Sequence, residues 1–246
     1  MRTSGRKSLA VFDEDRPIRA ASRAALPRGF RSRLLEGLTP SQIGAVLAAA
    51  KQRETSANQV LQHEGDQANH LSLLVTGLAA FYKATPEGGK LFLRWIAPGD
   101  AFGLAALTPP RSYLTTVQAL REASVFMWER ASALALFSQI PRLRENAYSI
   151  ASDYVARLTD LLVMRTGQTA QRRLARMLVE GARQIGKDGH EGIEFVLTNE
   201  QLAEMADVSL FTASRQLAEW QRQGILTRSR GKILLHAPER LDSQYL

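Results

Sequence analysis

Residues 197–224 read LTNEQLAEMADVSLFTASRQLAEWQRQG. This stretch leaves the backbone few choices. Leu202, Ala203 and Ala206 recur at helical spacing, and Ala213, Leu217 and Trp220 repeat at i, i+4 and i+7. Both apolar faces are buried together if two short helices meet at a tight turn. Asp207 stands at that turn, and Asp tolerates the left-handed conformation better than most residues. Thr198 caps the first helix with Gln201 three residues on, a capping-box spacing. Ser209 caps the second and Gly224 closes it. Ala203 is small where the helices would cross, and Val208 plugs the core after the turn. ILTRSRGKILLH then reads as two short strands about a basic turn, a wing. Upstream, TAQRRLARMLVEGARQIG forms an amphipathic helix on Leu174, Met177, Leu178 and Ala182, with Gly186 and Gly189 at its end, and GIEFVL forms a short strand. Helix, strand, helix-turn-helix and wing in this order predict a winged helix-turn-helix whose partner is double-stranded DNA, the alternative being a sensor or scaffold that acts through protein partners with a vestigial winged domain.

The candidate contacts follow from residue chemistry. Arg215 is the expected base reader, bidentate to guanine, with the Ser214 hydroxyl on a neighbouring base. Thr198, Ser209 and Thr212 serve caps or phosphates. Arg222, Arg230 and Lys232 fit phosphate contacts, since from Arg222 to Lys232 there are four basic residues and no acidic one. The first turn of the second helix departs from ordinary DNA readers, because it carries Leu210 and Phe211. Leu210 lies on the Ala213/Leu217 face, so it either tucks under the first helix or stands free. Phe211 points toward Arg215 and is expected to be exposed, available to thymine methyls.

Ahead of this unit the text is β-like. LSLLVTG, LAAFYKA and LFLRWI are separated by HEGD, PEGGK and PGD, and VFMWE closes the series. Short runs between Gly/Asp turns predict a barrel or roll. LTPSQIGAVLAAAK before it offers Thr39 as a cap and Pro40 at the first helical position. ERASALALFSQIP after it is helical. From Pro141 the chain has no Gly or Pro until Gly167. Leu143, Ala147, Ile150, Tyr154, Leu158 and Leu161 recur at steps of three and four, a heptad-like seam that Tyr148, Val155 and Leu162 widen. At about 1.5 Å per residue the helix spans about 35 Å. The seam packs on the chain's own roll or joins two copies in a coiled coil, and the homodimer is the favoured expectation.

The chain is basic, with net charge +8 and pI about 10.2. Residues 1–33 hold nine Lys/Arg against three Asp/Glu, whereas residues 189–246 hold six against eight. The excess thus lies away from the winged unit, and local patches rather than pI carry the nucleic-acid argument. There is no cysteine, which removes disulfides, thiolate catalysis and thiolate-held iron–sulfur clusters. His63, His70, His190 and His236 lack metal-ligand spacing. No nucleophile elbow, zinc motif or phosphate loop occurs, so an enzyme is not expected. No apolar run approaches the roughly 18–20 residues that span a bilayer, so no membrane association and a cytoplasmic location are expected.

These parts together resemble the Crp/Fnr superfamily of bacterial transcription regulators over roughly residues 34–240. The resemblance rests on QHEGDQANHLSLLVTGLAAFYK, the PGDAFGLAAL turn, the long helix and the winged helix-turn-helix. It implies an α+β chain in consecutive parts: a basic flexible tail over 1–30, a β-roll effector domain (a double-stranded β-helix, jelly-roll-like) over 31–140, a dimerisation helix over 141–166 and the DNA-binding domain over 167–246. It implies a homodimer on a palindromic operator, RNA polymerase as a further partner, and winged domains that reorient about a hinge near Thr166–Thr169. It also implies an effector pocket at Gly103, Leu104, Ala105, Arg111, Ser112 and Thr159. Here the chain departs from cyclic-AMP-binding relatives. Leu104 stands where they carry the Glu that holds the ribose hydroxyl. Arg111 and Ser112 lie about two residues early for the phosphate-binding Arg-Ser pair, and the direct register puts Tyr113 and Leu114 there. A cyclic-AMP effector is therefore disfavoured. A haem bound through His63, His70 or Met127, another small molecule in an apolar pocket, and no effector at all remain open.

Overall fold

The structure is a computed structural model that describes residues 26–86, 88–109, 111–165, 169–229 and 231–245. The first 25 residues of the basic tail, the hinge residues Thr166–Gln168 and the wing residue Arg230 lie outside the described residues, as does the Leu161 side chain. A helix α1 (Pro40–Ala48) precedes eight strands: β1 (Lys51–Thr55), β2 (Val60–Gln62), β3 (His70–Thr76), β4 (Ala79–Ala84), β5 (Lys90–Ile96), β6 (Ala101–Phe102), β7 (Thr116–Ala119) and β8 (Ala123–Glu129). Helices α2 (Arg130–Gln139), α3 (Pro141–Arg165) and α4 (Ala170–Ile185) follow. The C-terminal part holds β9 (Lys187–Gly189), β10 (Gly192–Val196), α5 (Asn199–Met205), α6 (Leu210–Arg222), β11 (Leu226–Ser229), β12 (Lys232–Leu235) and α7 (Pro238–Tyr245). The chain divides into two compact units, one of residues 1–84 and 96–157, the other of residues 85–95 and 158–246.

The eight N-terminal strands make two four-stranded sheets, ordered β1-β8-β3-β6 and β2-β7-β4-β5. Their order is not the chain order, as a roll requires. The turn between β3 and β4 is built on Gly77, at φ +89°, where a Cβ would sit 2.4 Å from the Glu122 carbonyl. No side chain fits there. Strand β1 is missing from the run of apolar segments because KQRET is polar. It is an edge strand, paired with β8 from Lys51↔Met127 to Thr55↔Ala123. An edge needs one covered face and profits from charge on the other.

Alternate residues of β3 (Leu71, Leu73, Val75) and β8 (Phe126, Trp128) point to one face of their sheet. That face is covered by Val46 of α1, Leu136 and Phe137 of α2, and Leu143 and Ala147 of α3. The Trp128 indole N–H donates to the Val46 carbonyl at 2.7 Å, so the largest side chain in this layer has its polar atom satisfied. Thr39 caps α1 as expected, and Gln42 completes a capping box with it.

Here the expected seam divides. Leu143 and Ala147 are only 1% and 3% exposed, packed into the chain's own core with Ile150 against it. The Tyr154 ring lies 5.5 Å from that of Phe81 of β4, tilted by 42°. Leu143 and Ala147, at the start of α3, therefore face the roll. Tyr148 and Val155 of α3, by contrast, are each 63% exposed. Segment 33–36 locks this orientation. Arg33 pairs with Asp153 and donates to Ser149 Oγ at 3.0 Å, while Asn146 Nδ2 donates to the Leu34 and Glu36 carbonyls at 3.1 and 2.7 Å.

In the second unit the sheet order is β11-β12-β10-β9. α4 buries Leu174, Met177, Leu178 and Ala182, the face read from the sequence. α7 was not anticipated; its Leu241 is fully buried, and Arg240 Nη1 donates to the Gln223 carbonyl at 3.1 Å.

Leu143→Ala is expected to lower unfolding stability by about 2–5 kcal/mol, as other large-to-small core changes do. Urea denaturation measures it. A change below about 0.5 kcal/mol would mean that Leu143 does not face the roll.

Candidate nucleic-acid interface

Helix α5 begins on Thr198, whose hydroxyl accepts from Gln201 N at 3.1 Å while Gln201 Oε1 accepts from Thr198 N at 3.0 Å. Helix α6 begins on Ser209, whose Oγ accepts from Thr212 N at 3.1 Å and lies 2.9 Å from Thr212 Oγ1. Between them Asp207 adopts φ +53°, the left-handed turn expected of it. Inside, Ala213, Leu217 and Trp220 are fully buried. Outside, Arg215 is exposed, Ser214 and Thr212 are half-buried, and the first turn presents Leu210 and Phe211 at 46% and 73% exposure. Of the two positions open to it, Leu210 therefore takes the free one rather than tucking under α5. The Arg215 guanidinium lies 5.9 Å from the Phe211 ring centroid, a cation–π distance. Arg215 forms no ion pair among the described residues.

Wing strands β11 and β12 pair from Leu226↔Leu235 to Ser229↔Lys232, with Gly231 at φ +74° in the turn. Arg228 Nε donates to Gln221 Oε1 at 3.1 Å, which ties the wing to α6. Lys232 Nζ lies 3.0 Å from Glu194 of β10, and Arg222 pairs with Glu219. Both pairs are solvent-exposed and so are held weakly against a phosphate. An open cleft lined by Thr198, Asn199, Gln221, Arg228, Ser229 and Lys232 separates the start of α5 from the wing. Thr198 and Lys232, far apart in sequence, thus share one groove.

One residue in this unit was not singled out by sequence. Arg173 of α4 donates from Nε to the Ala206 carbonyl at 2.7 Å and from Nη2 to the Asp207 carbonyl at 2.8 Å. It grips the turn that aims α6, one helical turn after the Thr169 cap of α4. Nothing local in TAQRR marks it, because its acceptors are 33 and 34 residues away.

The candidate effector residues fall as follows. Gly103 is left-handed at φ +78°, and a Cβ there would sit 2.5 Å from the His70 carbonyl. It starts a 3-10 turn, Leu104–Leu107. Leu104 turns to the core that holds Trp128, while Ala105 packs on Ala68, Ala106 and Tyr113. Tyr113 is buried; its hydroxyl accepts from His70 N and donates to the His70 carbonyl, both at 3.1 Å. Burial pushes its phenol up, against the opposing pull of the His70 and Asn69 backbone bonds. Arg111 is exposed on a left-handed backbone at φ +61°, and Ser112 forms an isolated bridge with Gln67. Thr159 is exposed on α3, in the other unit. The His63 carbonyl accepts from Asp66 N at 3.3 Å in the HEGD turn. In that turn burial would raise the Glu64 carboxyl, but bonds from Lys83 Nζ and Ala84 N, with the Lys83 charge, hold it below the usual carboxylate range.

Two family models match the chain: the cyclic nucleotide-binding domain over residues 52–140 and the Crp-like helix-turn-helix domain over residues 172–243. Carrying both in this order, the chain belongs to the Crp/Fnr family of transcription regulators, with a DNA-binding helix-turn-helix domain. It is 20% identical over 213 residues to a CRP-like cAMP-activated global transcriptional regulator of Mycobacterium tuberculosis, covering 86% of this chain and 95% of that one. It is 23% identical over 215 residues to the nitrogen fixation regulation protein FixK of Azorhizobium caulinodans, 85% of each chain. The solved structure of FixK2 from Bradyrhizobium japonicum shares the fold, at TM-score 0.70 and 22% identity, covering 80% of this chain and 98% of that one. No helix among the described residues is long and apolar enough to cross a membrane.

Arg173→Ala removes two charge-assisted bonds and is expected to cost roughly 1–3 kcal/mol. Thermal unfolding measures the loss, and amide exchange is expected to quicken at Ala206–Ser209. Unchanged exchange there would show that the turn holds its shape without the arginine.

Proposed function

We propose that this regulator works as a homodimer that binds a palindromic operator, each copy laying helix 209–223 in the major groove. The observation that carries the reading is the outward face of α6, where Arg215 stands exposed, without an ion pair among the described residues, beside a wing carrying Arg228 and Lys232. Arg215 reads guanine; Ser214 contacts a neighbouring base. Thr198, Ser209, Thr212, Arg222, Arg230 and Lys232 serve the backbone, which positions rather than specifies. Two half-sites lie about one helical turn, 34–36 Å, apart.

Residues 31–140 act as the effector domain, 141–166 as the dimerisation helix and 167–246 as the DNA-binding domain. The dimer forms through the exposed apolar face of α3. Tyr148 and Val155 are one heptad apart, both exposed, with the half-buried Leu158 beyond them. The protein acts in the cytoplasm, binds DNA and RNA polymerase, and catalyses no reaction of its own. Its effector is something other than cyclic AMP, or there is none. What supports this is chemistry. Leu104 has no acceptor for a ribose hydroxyl. The Tyr113 hydroxyl, in the place of the phosphate-binding arginine, bonds to the His70 backbone instead. A buried phosphate without an arginine is costly.

Selection from random duplexes tests the reading, and a half-site other than TGTGA or TTGAT is expected. If Arg215, Arg230 and Lys232 changed together to Ala leave operator affinity unaltered, the DNA reading is wrong. Arg215→Ala alone is expected to cost about 1–3 kcal/mol and relax a guanine position, whereas Lys232→Ala weakens all sequences alike. Tyr148→Glu with Val155→Glu is expected to give a monomer by sedimentation. A dimer that survives both changes would place the interface elsewhere.

A further inference from the structure

The first turn of α6 puts apolar surface into water where the rest of the exposed helix is polar. Among the described residues Phe211 is the most exposed of the large hydrophobic side chains, with Leu210 beside it. The ring is not idle. It stands one helical turn before Arg215 and holds the guanidinium within 5.9 Å of its centroid. Restricting a long cationic side chain in the free protein lowers the ordering cost when it meets its base. Ring and guanidinium therefore approach a ligand as a pair.

We propose that Leu210 and Phe211 are specificity-determining residues that recognise the 5-methyl group of a pyrimidine, beside the guanine read by Arg215. The inference rests on the DNA-binding reading above. Among the ordinary bases, thymine alone offers an apolar group in the major groove, its C5 methyl. The other groups read there are hydrogen-bond donors and acceptors, and cytosine presents only a C5–H where thymine carries its methyl. An aromatic ring pressed on such an edge removes water and returns no bond, which costs free energy. The pairing with Arg215 also limits position. Successive bases lie about 3.4 Å apart along a strand, so a ring 5.9 Å from the guanidinium reaches a base within two steps of that guanine. Cytosine methylated at C5 carries the same methyl in the same place. It follows that this regulator tolerates 5-methylcytosine where it rejects cytosine, and its occupancy responds to cytosine methylation of the operator.

The test uses the full-length protein and the operator recovered by selection, at one fixed salt concentration. Each thymine of both strands is replaced singly by uracil, which removes only the methyl group. At one thymine per half-site, within two steps of the guanine that Arg215→Ala relaxes, uracil is expected to weaken binding about fourfold, the value of one buried methyl. Phe211→Ala is expected to bind thymine and uracil duplexes equally, closing a double-mutant cycle. Phe211 is exposed, so this variant keeps its melting temperature. Cytosine at the same position weakens wild-type binding, and 5-methylcytosine is expected to recover about fourfold of that loss. If every uracil substitution changes affinity less than twofold while the operator is still preferred over random DNA, the methyl reading is wrong and the DNA reading stands. If selection returns no preferred sequence, both fall together.

Discussion

The burial of Leu143 and Ala147 in the layer around Phe126 and Trp128 governs what α3 can do. It turns one stripe of the helix permanently inward, and the Arg33 and Asn146 contacts hold it there. A helix with one stripe consumed offers a partner only the other. Tyr148 and Val155 lie on that other stripe, and both are exposed. The first half of α3 is thus part of the roll's core, and association has to use what the roll leaves.

A division of labour also runs through the winged unit. The inner residues of α6 are held from several directions: the Ser209 cap, the buried Ala213–Leu217–Trp220 stripe, and the grip of Arg173 on the preceding turn. These contacts set where the helix points. None of them involves Leu210, Phe211 or Arg215, so the outward face can change without loss of the scaffold. The sensor loop shows a similar pattern. Gly103 is required by the approach of the His70 carbonyl, whereas Leu104 and Tyr113 turn into the protein's own packing.

The helix-turn-helix was legible in the sequence because its signals are local. Caps, a left-handed Asp207 and two apolar stripes all lie within 28 residues, and the structure has each of them. The roll was legible as runs between Gly/Asp turns, but β1 was not, since a polar edge strand is defined by its partner β8, about 70 residues away. α7 and the role of Arg173 escaped for the same reason: their partners lie elsewhere in the chain.

What the sequence determined by itself was periodicity: where helices and strands run, how they are capped, and that α3 is apolar on more than one side. It could not say which of those sides the fold would use. Tertiary structure decided that Leu143 and Ala147 go inward while Tyr148 and Val155 stay out, and that Leu210 stands free rather than under α5. The physical reason is that helical spacing states which residues share a face, whereas burial depends on what else is brought against that face, and only long-range packing supplies it.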